Sequence, residues 1–345
     1  MPSHATTPPT PPAAKKPTPM ISVVLPAYDA QDQLKDCLDS LLAQTFRAFE
    51  IVLVVDRSAG SPERLAEAYE MRDPRVQVLR LDAAVGIGRA RNAGAAHATA
   101  EYLLFLDSDH LLDPDALQAM ADRLGETGEL DVLLFGHTRE HAGRSWPGGA
   151  AGLLTAAGPE VRSGLERPEL FSAPPLVWDR LLRRGSVPAF PDGHYDEVPV
   201  VHQALLAAER VAVLDRECVT IRRRHTLHPT GSPGSSHFDV FDQYERSFEL
   251  AHEAGATDVL PHLFTRMIRQ YLFVFDLGGC VPRAQRPQFF NRAAEHYRTY
   301  QPAGFRRPDG REGVKFSLLA SGAYAAFELA KLSHIARGAV GRRAA

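Results

Sequence analysis

Short, uninterrupted apolar runs alternate with segments of helical periodicity through the first half of the chain. Ile21–Leu25 is apolar and β-branched and stops at Pro26, whereas Gln33–Leu42 repeats Leu34, Cys37, Leu38, Leu41 and Leu42 at helical spacing. A strand and then a helix are predicted. Glu50–Val55 predicts a second strand ending at Asp56. Pro62–Met71 predicts a helix opened by Ser61 and Pro62, residues suited to a helix start. Val76–Leu81 predicts a third strand and Gly86–Ala98 a helix. Tyr102–Leu106 predicts a fourth strand running straight into Asp107-Ser108-Asp109, followed by a helix over Pro114–Leu124 and a fifth strand over Asp131–Phe135.

Alternation of this kind predicts an α/β fold, a mostly parallel sheet with helices on both faces. In such sheets ligands sit beyond the carboxyl ends of the strands. Asp56 and the pair Asp107/Asp109 stand at two of those ends and are expected to share one crevice. Gly143–Gly164, rich in Gly and Ala, reads as an irregular, mobile loop. Val211–Ile221 predicts a late strand, followed by the basic run Arg222-Arg223-Arg224-His225 and a Gly/Ser/Pro loop over Gly231–Ser236. From His237 onward the period is helical, over Phe238–Ala254, Leu260–Leu277, Pro287–Tyr300 and Gly313–Ala336. The expected organisation is therefore a tail over residues 1–19, an α/β domain over 20–235 and a helical C-terminal extension over 236–345.

Composition narrows the chemistry. Among 345 residues, 39 Lys+Arg stand against 42 Asp+Glu, a net charge of −3 that provides no global basic field for a nucleic acid. Three widely spaced cysteines without a C-x-x-C pair exclude a disulfide scaffold or a cysteine zinc site and read as thiols of a reducing cytosol. Met1–Pro19 is rich in Pro, Thr and Ala, with no apolar core behind Lys15 and Lys16, and so predicts a disordered tail rather than a secretory leader. No run of about 18 apolar residues occurs, so no membrane-spanning helix is expected. A cytoplasmic enzyme is the reading that remains.

Two carboxylates at i and i+2 on a strand end suit a hard divalent cation, Mn²⁺ or Mg²⁺, that also holds a diphosphate. Asp107-Ser108-Asp109 meets that need, and the buried-type strand before it argues against a mere turn. Gly86-Ile87-Gly88 lacks the third glycine of a dinucleotide loop, where Arg91 stands instead, and is set aside. His137-Thr138-Arg139-Glu140-His141 formally matches H-x-x-E-H, but that zinc pattern requires a helix, and the segment continues a predicted strand.

Several ordered segments together resemble an inverting family 2 glycosyltransferase of the GT-A fold. They are Ile21-Ser22-Val23-Val24-Leu25-Pro26-Ala27-Tyr28, Cys37–Thr45, Ala90-Arg91-Asn92-Ala93-Gly94 and Leu104-Phe105-Leu106-Asp107-Ser108-Asp109. The chain beyond residue 175 is similar to the family 2 domains that accompany teichoic-acid-type glycerophosphotransferases, notably at His237-Phe238-Asp239-Val240-Phe241-Asp242-Gln243-Tyr244 and Val281–Ala303. The resemblance implies that Pro26, Ala27 and Tyr28 line the nucleotide pocket and that Asp56 meets the donor base. It implies further that Arg91 lies near the ribose or phosphates and that Asp107 and Asp109 hold ribose and metal. The pattern departs from the family after Asp56, where Arg57-Ser58-Ala59 replaces a second acid and Gly-Ser, and before Gly86, where Ala84 and Val85 replace an expected Asn.

The resemblance also implies an acid pair that supplies the base for the acceptor hydroxyl. Gly193-His194-Tyr195-Asp196-Glu197 occupies that position with the order reversed, leaving Asp196 or Glu197 as the base. Trp178-Asp179-Arg180 stands where the family often has Trp-Asn-Lys. Arg224 is expected on the diphosphate, with His225 or His228 as a third metal ligand. Gly313–Ala336, with Arg337, Arg342 and Arg343 beyond it, either lies on an anionic membrane surface beside a lipid-linked acceptor or packs on its own domain. The function implied is metal-dependent transfer of a sugar from a nucleotide-diphosphate donor to a hydroxyl of an envelope glycan, lipid-linked carrier or secondary metabolite. Two other readings share the same residues: a nucleotidyl or phospho-sugar transferase, and an idle nucleotide-binding module.

Overall fold

β1 (Ile21–Ala27), β2 (Phe49–Val55) and β4 (Tyr102–Phe105) are buried along their whole length. Continuous apolar strands are what a parallel sheet with helices on both faces requires. They pair in parallel, β2 and β4 flanking β1, with β3 (Val76–Arg80) parallel on the far side of β2. The structure, a computed structural model, describes residues 18–27, 31–57, 62–141, 143–148, 150–222 and 235–330. The predicted N-terminal tail lies outside them, except for its last two residues. α1 (Gln31–Leu42), α2 (Glu63–Arg72) and α3 (Ile87–His97) are the connections between these strands.

The sheet has nine strands in the order β3-β2-β1-β4-β8-β6-β9-β5, with β7 paired to β6. β8 (Arg180–Arg183) runs antiparallel to both β4 and β6 (Val132–His141), and β9 (Val211–Arg222) runs parallel to β6. Six strands therefore share one direction, as a mostly parallel sheet predicts. The three reversed strands are β8, β5 (His110–Leu112) and β7 (Arg144–Pro147), all short. Unlike the all-apolar β4, each holds charged or polar residues within its three or four positions, so no apolar run marks it in the sequence.

Two sequence expectations are corrected. Gly143–Gly164 is not a structureless loop: β7 pairs with Thr138–His141 of β6, and α5 (Ala151–Ala157) buries Leu154. The single helix expected over Gly313–Ala336 is instead α10 (Gly310–Ala320), a break at Ser321-Gly322 with φ +68° at Gly322, and a second helix over 324–330. The apolar stripe of that region is largely turned inward, with Phe316, Leu319 and Phe327 buried, while Val314 and Leu329 stay exposed. Residues beyond 330, including Arg337, Arg342 and Arg343, lie outside the described residues. His137–His141 does continue a strand, and Cys37, Cys218 and Cys280 are buried free thiols. Among the described residues no helix is long and apolar enough to cross a membrane.

Period-two alternation splits the strands between two cores. Val23, Leu25, Ile51, Leu53 and Leu104 face α1 residues Leu34 and Leu38 on one side. Val24, Val52, Val54, Leu103 and Phe105 face the other side. There they join one apolar cluster that runs through α6 (Glu197–Ala207) into α7 (Asp239–Glu253), α8 (Leu260–Asp276) and α9 (Arg286–Tyr300). The C-terminal helices thus share a core with the sheet.

Glu50 interrupts the apolar face of β2 and ties the amino end of the sheet together. It accepts hydrogen bonds from Ser22 Oγ (2.6 Å), Thr99 N (2.7 Å), Thr99 Oγ1 (2.9 Å) and Gln77 Nε2 (2.8 Å). Burial alone would raise its carboxyl, but the donors from Ser22 and Thr99 outweigh burial and hold it below the ordinary glutamate value. A depressed folded-state value gives stability that is present above the unfolded value of 4.5 and lost as pH falls through the folded one. Glu50→Gln is expected to cost about 1–3 kcal/mol in urea unfolding at neutral pH, with the gap to wild type closing under acid conditions.

Candidate active site

The carboxyl ends of β2, β1 and β4 form one rim. Register sets Ala27 beside Val55 and Val24 beside Phe105, so Pro26, Ala27, Asp56 and Asp107 occupy neighbouring positions along it. Asp56 is 4% exposed and accepts a hydrogen bond from the Val85 amide at 3.3 Å, which anchors the segment leading into α3. Arg57 is solvated, 3.9 Å from Asp82 with both side chains exposed.

Arg91 enters from α3 and is 3% exposed. Its Nη2 donates to Asp107 Oδ1 at 2.8 Å, and its Nη1 lies 3.4 Å from both carboxylate oxygens of Asp196. The guanidinium thus bridges the carboxyl end of β4 and the start of α6, 105 residues apart in sequence at the wider pair. Burial would lower it, but Asp107, Asp196 and Glu197 together hold it protonated. The face of the Phe190 ring lies 5.4 Å away. Arg91, which the resemblance puts near the donor ribose or phosphates, is enclosed between two carboxylates.

Asp196 and Glu197 differ in what they touch. Asp196 is 3% exposed; burial pushes its carboxyl upward against the pull of Arg91. Gly88 of α3 allows this approach, because a Cβ there would sit 2.8 Å from Asp196 Oδ2 and 2.9 Å from the Pro191 carbonyl. Glu197 turns instead to the backbone of the segment before β8, accepting from the Val177 amide at 3.1 Å. Burial, only partly countered by Arg91, pushes its carboxyl up to about 8.

One ligand atom from each of Asp107, Asp109 and His110 lies within 4.8 Å of the others. Asp109 is the most open, with its side chain 24% exposed, and lies 3.5 Å from His110 Nε2. Two hard carboxylate oxygens with one imidazole nitrogen fit Mn²⁺ or Mg²⁺, the nitrogen favouring the former. His110 was missed in the sequence, although it follows the D-x-D directly. The third ligand expected from sequence, His225, lies outside the described residues, as do His228, Arg224 and Tyr28. Trp178 packs edge-on against the rings of His110 and His137 at 4.6 and 4.7 Å. Asp179 and Arg180 are buried against each other at 2.7 Å, so neither faces an open groove.

The family model described as Glycosyl transferase family 2 matches residues 22–155. Succinoglycan biosynthesis protein ExoO of Rhizobium meliloti is 38% identical over 118 residues, 34% of this chain and 33% of that protein. Glycosyltransferase GlyG of Streptococcus pneumoniae is 32% identical over 115 residues, 33% and 38% of the two chains. The matches span little more than a third of the first curated relatives' own length. The S. aureus TarS fragment 1–349, solved in complex with UDP-GlcNAc, superposes with a TM-score of 0.65 at 21% identity over 91% of each chain. The architecture is that of the GT-A fold with a helical C-terminal region.

Two outcomes test this electrostatic arrangement. Arg91→Met leaves Asp107 and Asp196 without their shared counter-charge and is expected to cost about 3–5 kcal/mol in urea unfolding. For Glu197, whose folded-state value is raised, the stabilising contribution is fully present below 4.5 and is lost as pH rises to about 8, because the unfolded chain gives up its proton first. Wild-type Tm is therefore expected to fall relative to Glu197→Gln across that interval, and a constant difference would contradict it.

Proposed function

We infer that this chain, whose residues 22–155 belong to glycosyl transferase family 2, moves one sugar from a nucleotide-diphosphate donor to a hydroxyl of a cell-envelope glycan, with inversion at the anomeric carbon. The observation that carries this reading is the arginine bridge, which draws a D-x-D carboxylate and an acidic helix start together at the carboxyl rim of the sheet. The names of relatives support an envelope polysaccharide as acceptor class. The TarS fragment, which binds UDP-GlcNAc, supports a uridine nucleotide as the first donor to try. In this reading residues 20–235 are the transferase and 236–345 its extension.

Pro26, Ala27 and Asp56 line the nucleoside, and Asp107 meets the ribose. Asp107, Asp109 and His110 would hold a divalent cation, which when bound supplies positive charge against the leaving diphosphate. Asp196 takes the proton from the acceptor hydroxyl as that oxygen bonds to the anomeric carbon and the bond to the diphosphate oxygen breaks. Two features favour Asp196 over Glu197 as base. Asp196 sits against Arg91, which stabilises the ionised form, while Glu197 is held by the Val177 amide and retains its proton near neutral pH.

A thermal-shift screen of UDP-, GDP-, CDP- and dTDP-sugars with Mn²⁺ identifies the donor, and product analysis separates transferred sugar from released pyrophosphate. Asp196→Asn is expected to lower kcat by roughly 10²- to 10⁴-fold, while Glu197→Gln stays within about tenfold of wild type. Wild-type turnover in both variants would exclude both residues as the base. Undiminished turnover in Asp109→Ala, with Mn²⁺ present or chelated, would overturn the metal assignment.

A further inference from the structure

Tyr195, immediately before Asp196, has φ +58° and is the one residue other than glycine with positive φ among the described residues. An aromatic residue in the left-handed region costs about 1–2 kcal/mol and persists only where its surroundings impose it. Here they come from the start of the C-terminal helices. The Tyr195 hydroxyl lies 2.7 Å from Nδ1 of His237, a residue with no exposed surface. Asp239 Oδ2 accepts from the His194 amide at 2.9 Å and lies 3.6 Å from His194 Nδ1. Gln243, one turn further along α7, donates to the Asp192 carbonyl at 3.1 Å. Gly193, at φ +99°, lets the chain pass over Asp239, whose Oδ2 would lie 3.0 Å from a Cβ at that position.

The opposite side of the same segment is fastened to α3. Arg89 forms a two-point pair with Asp192 at 2.7 Å, and Asn92 exchanges two hydrogen bonds of 2.8 Å with the Phe190 backbone. Residues 190–196 are therefore a strap held between α3 and the His237–Gln243 segment, with Asp196 at its end.

We propose that His237 and Asp239 are positioning residues, which hold the strained turn at Gly193-His194-Tyr195 and thereby aim the Asp196 carboxylate. The proposal rests on the reading of Asp196 as base and adds to it a role for the helical extension. The His237-Phe238-Asp239 segment then serves catalysis as well as packing. A displacement of about 1 Å at a reacting group is worth up to roughly a hundredfold in rate.

The test measures UDP release from UDP-GlcNAc, or from whichever sugar nucleotide the donor screen returns, by the full chain. Tyr195→Phe removes only the hydroxyl, and Asp239→Ala removes the acceptor for the His194 amide. Asp239→Asn, which retains an oxygen at that position, is the conservative control. Tyr195→Phe and Asp239→Ala are each expected to lower kcat at least about tenfold, with donor KM within about twofold of wild type, and Asp239→Asn to restore most of kcat. Unchanged kcat in Tyr195→Phe and Asp239→Ala, with Asp196→Asn inactive, would overturn the positioning role while leaving the base intact. A raised KM at constant kcat would overturn it as well, in favour of donor binding. An active Asp196→Asn would instead remove the base reading on which the proposal stands.

Discussion

A positive charge held inside the protein between carboxylates from distant parts of the chain organises everything around it. Arg91 carries full charge at 3% exposure, a state that is tenable only because Asp107 lies 2.8 Å away on one side and Asp196 3.4 Å away on the other. The constraint is mutual. Without the arginine, two acidic side chains would repel each other at the rim of the sheet, and the start of α6 would have no electrostatic reason to sit beside the end of β4.

The flanking chemistry follows from that constraint. With α6 drawn in, Asp196 and Glu197 enter a region of low exposure where burial penalises a second and third negative charge. The two acids then separate in character: Asp196 shares the arginine, while Glu197 is turned to the Val177 amide with its carboxyl raised. Asp109 remains the more open acid of the D-x-D, beside His110, so the same stretch of chain turns one carboxylate to the interior arginine and leaves the other more accessible.

Packing carries the site outward to the C-terminal helices. The face of the sheet formed by Val24, Val54 and Phe105 shares one apolar cluster with Phe241, Phe264 and Tyr271, so the extension is fastened to the layer beneath the site. The strap at residues 190–196 crosses between these bodies and is bonded to both. Rigidity at Asp196 is thus supplied from two directions by elements that sequence alone would assign to separate units.

Local sequence determined the parallel half of the fold. Short continuous apolar runs with β-branched residues predict buried strands opening onto a rim, which made β1, β2 and β4 legible, with Asp56 and Asp107 standing just past the ends of β2 and β4. The acid pair at 196–197 was legible as a pair but not as two different acids, because the difference lies in which neighbours the fold supplies. Short reversed strands such as β5 and β8, the enclosure of Arg91 and the left-handed Tyr195 were decided by tertiary structure. Each depends on contacts between segments tens to a hundred residues apart, and a local pattern of hydrophobic and polar positions carries no record of those distances.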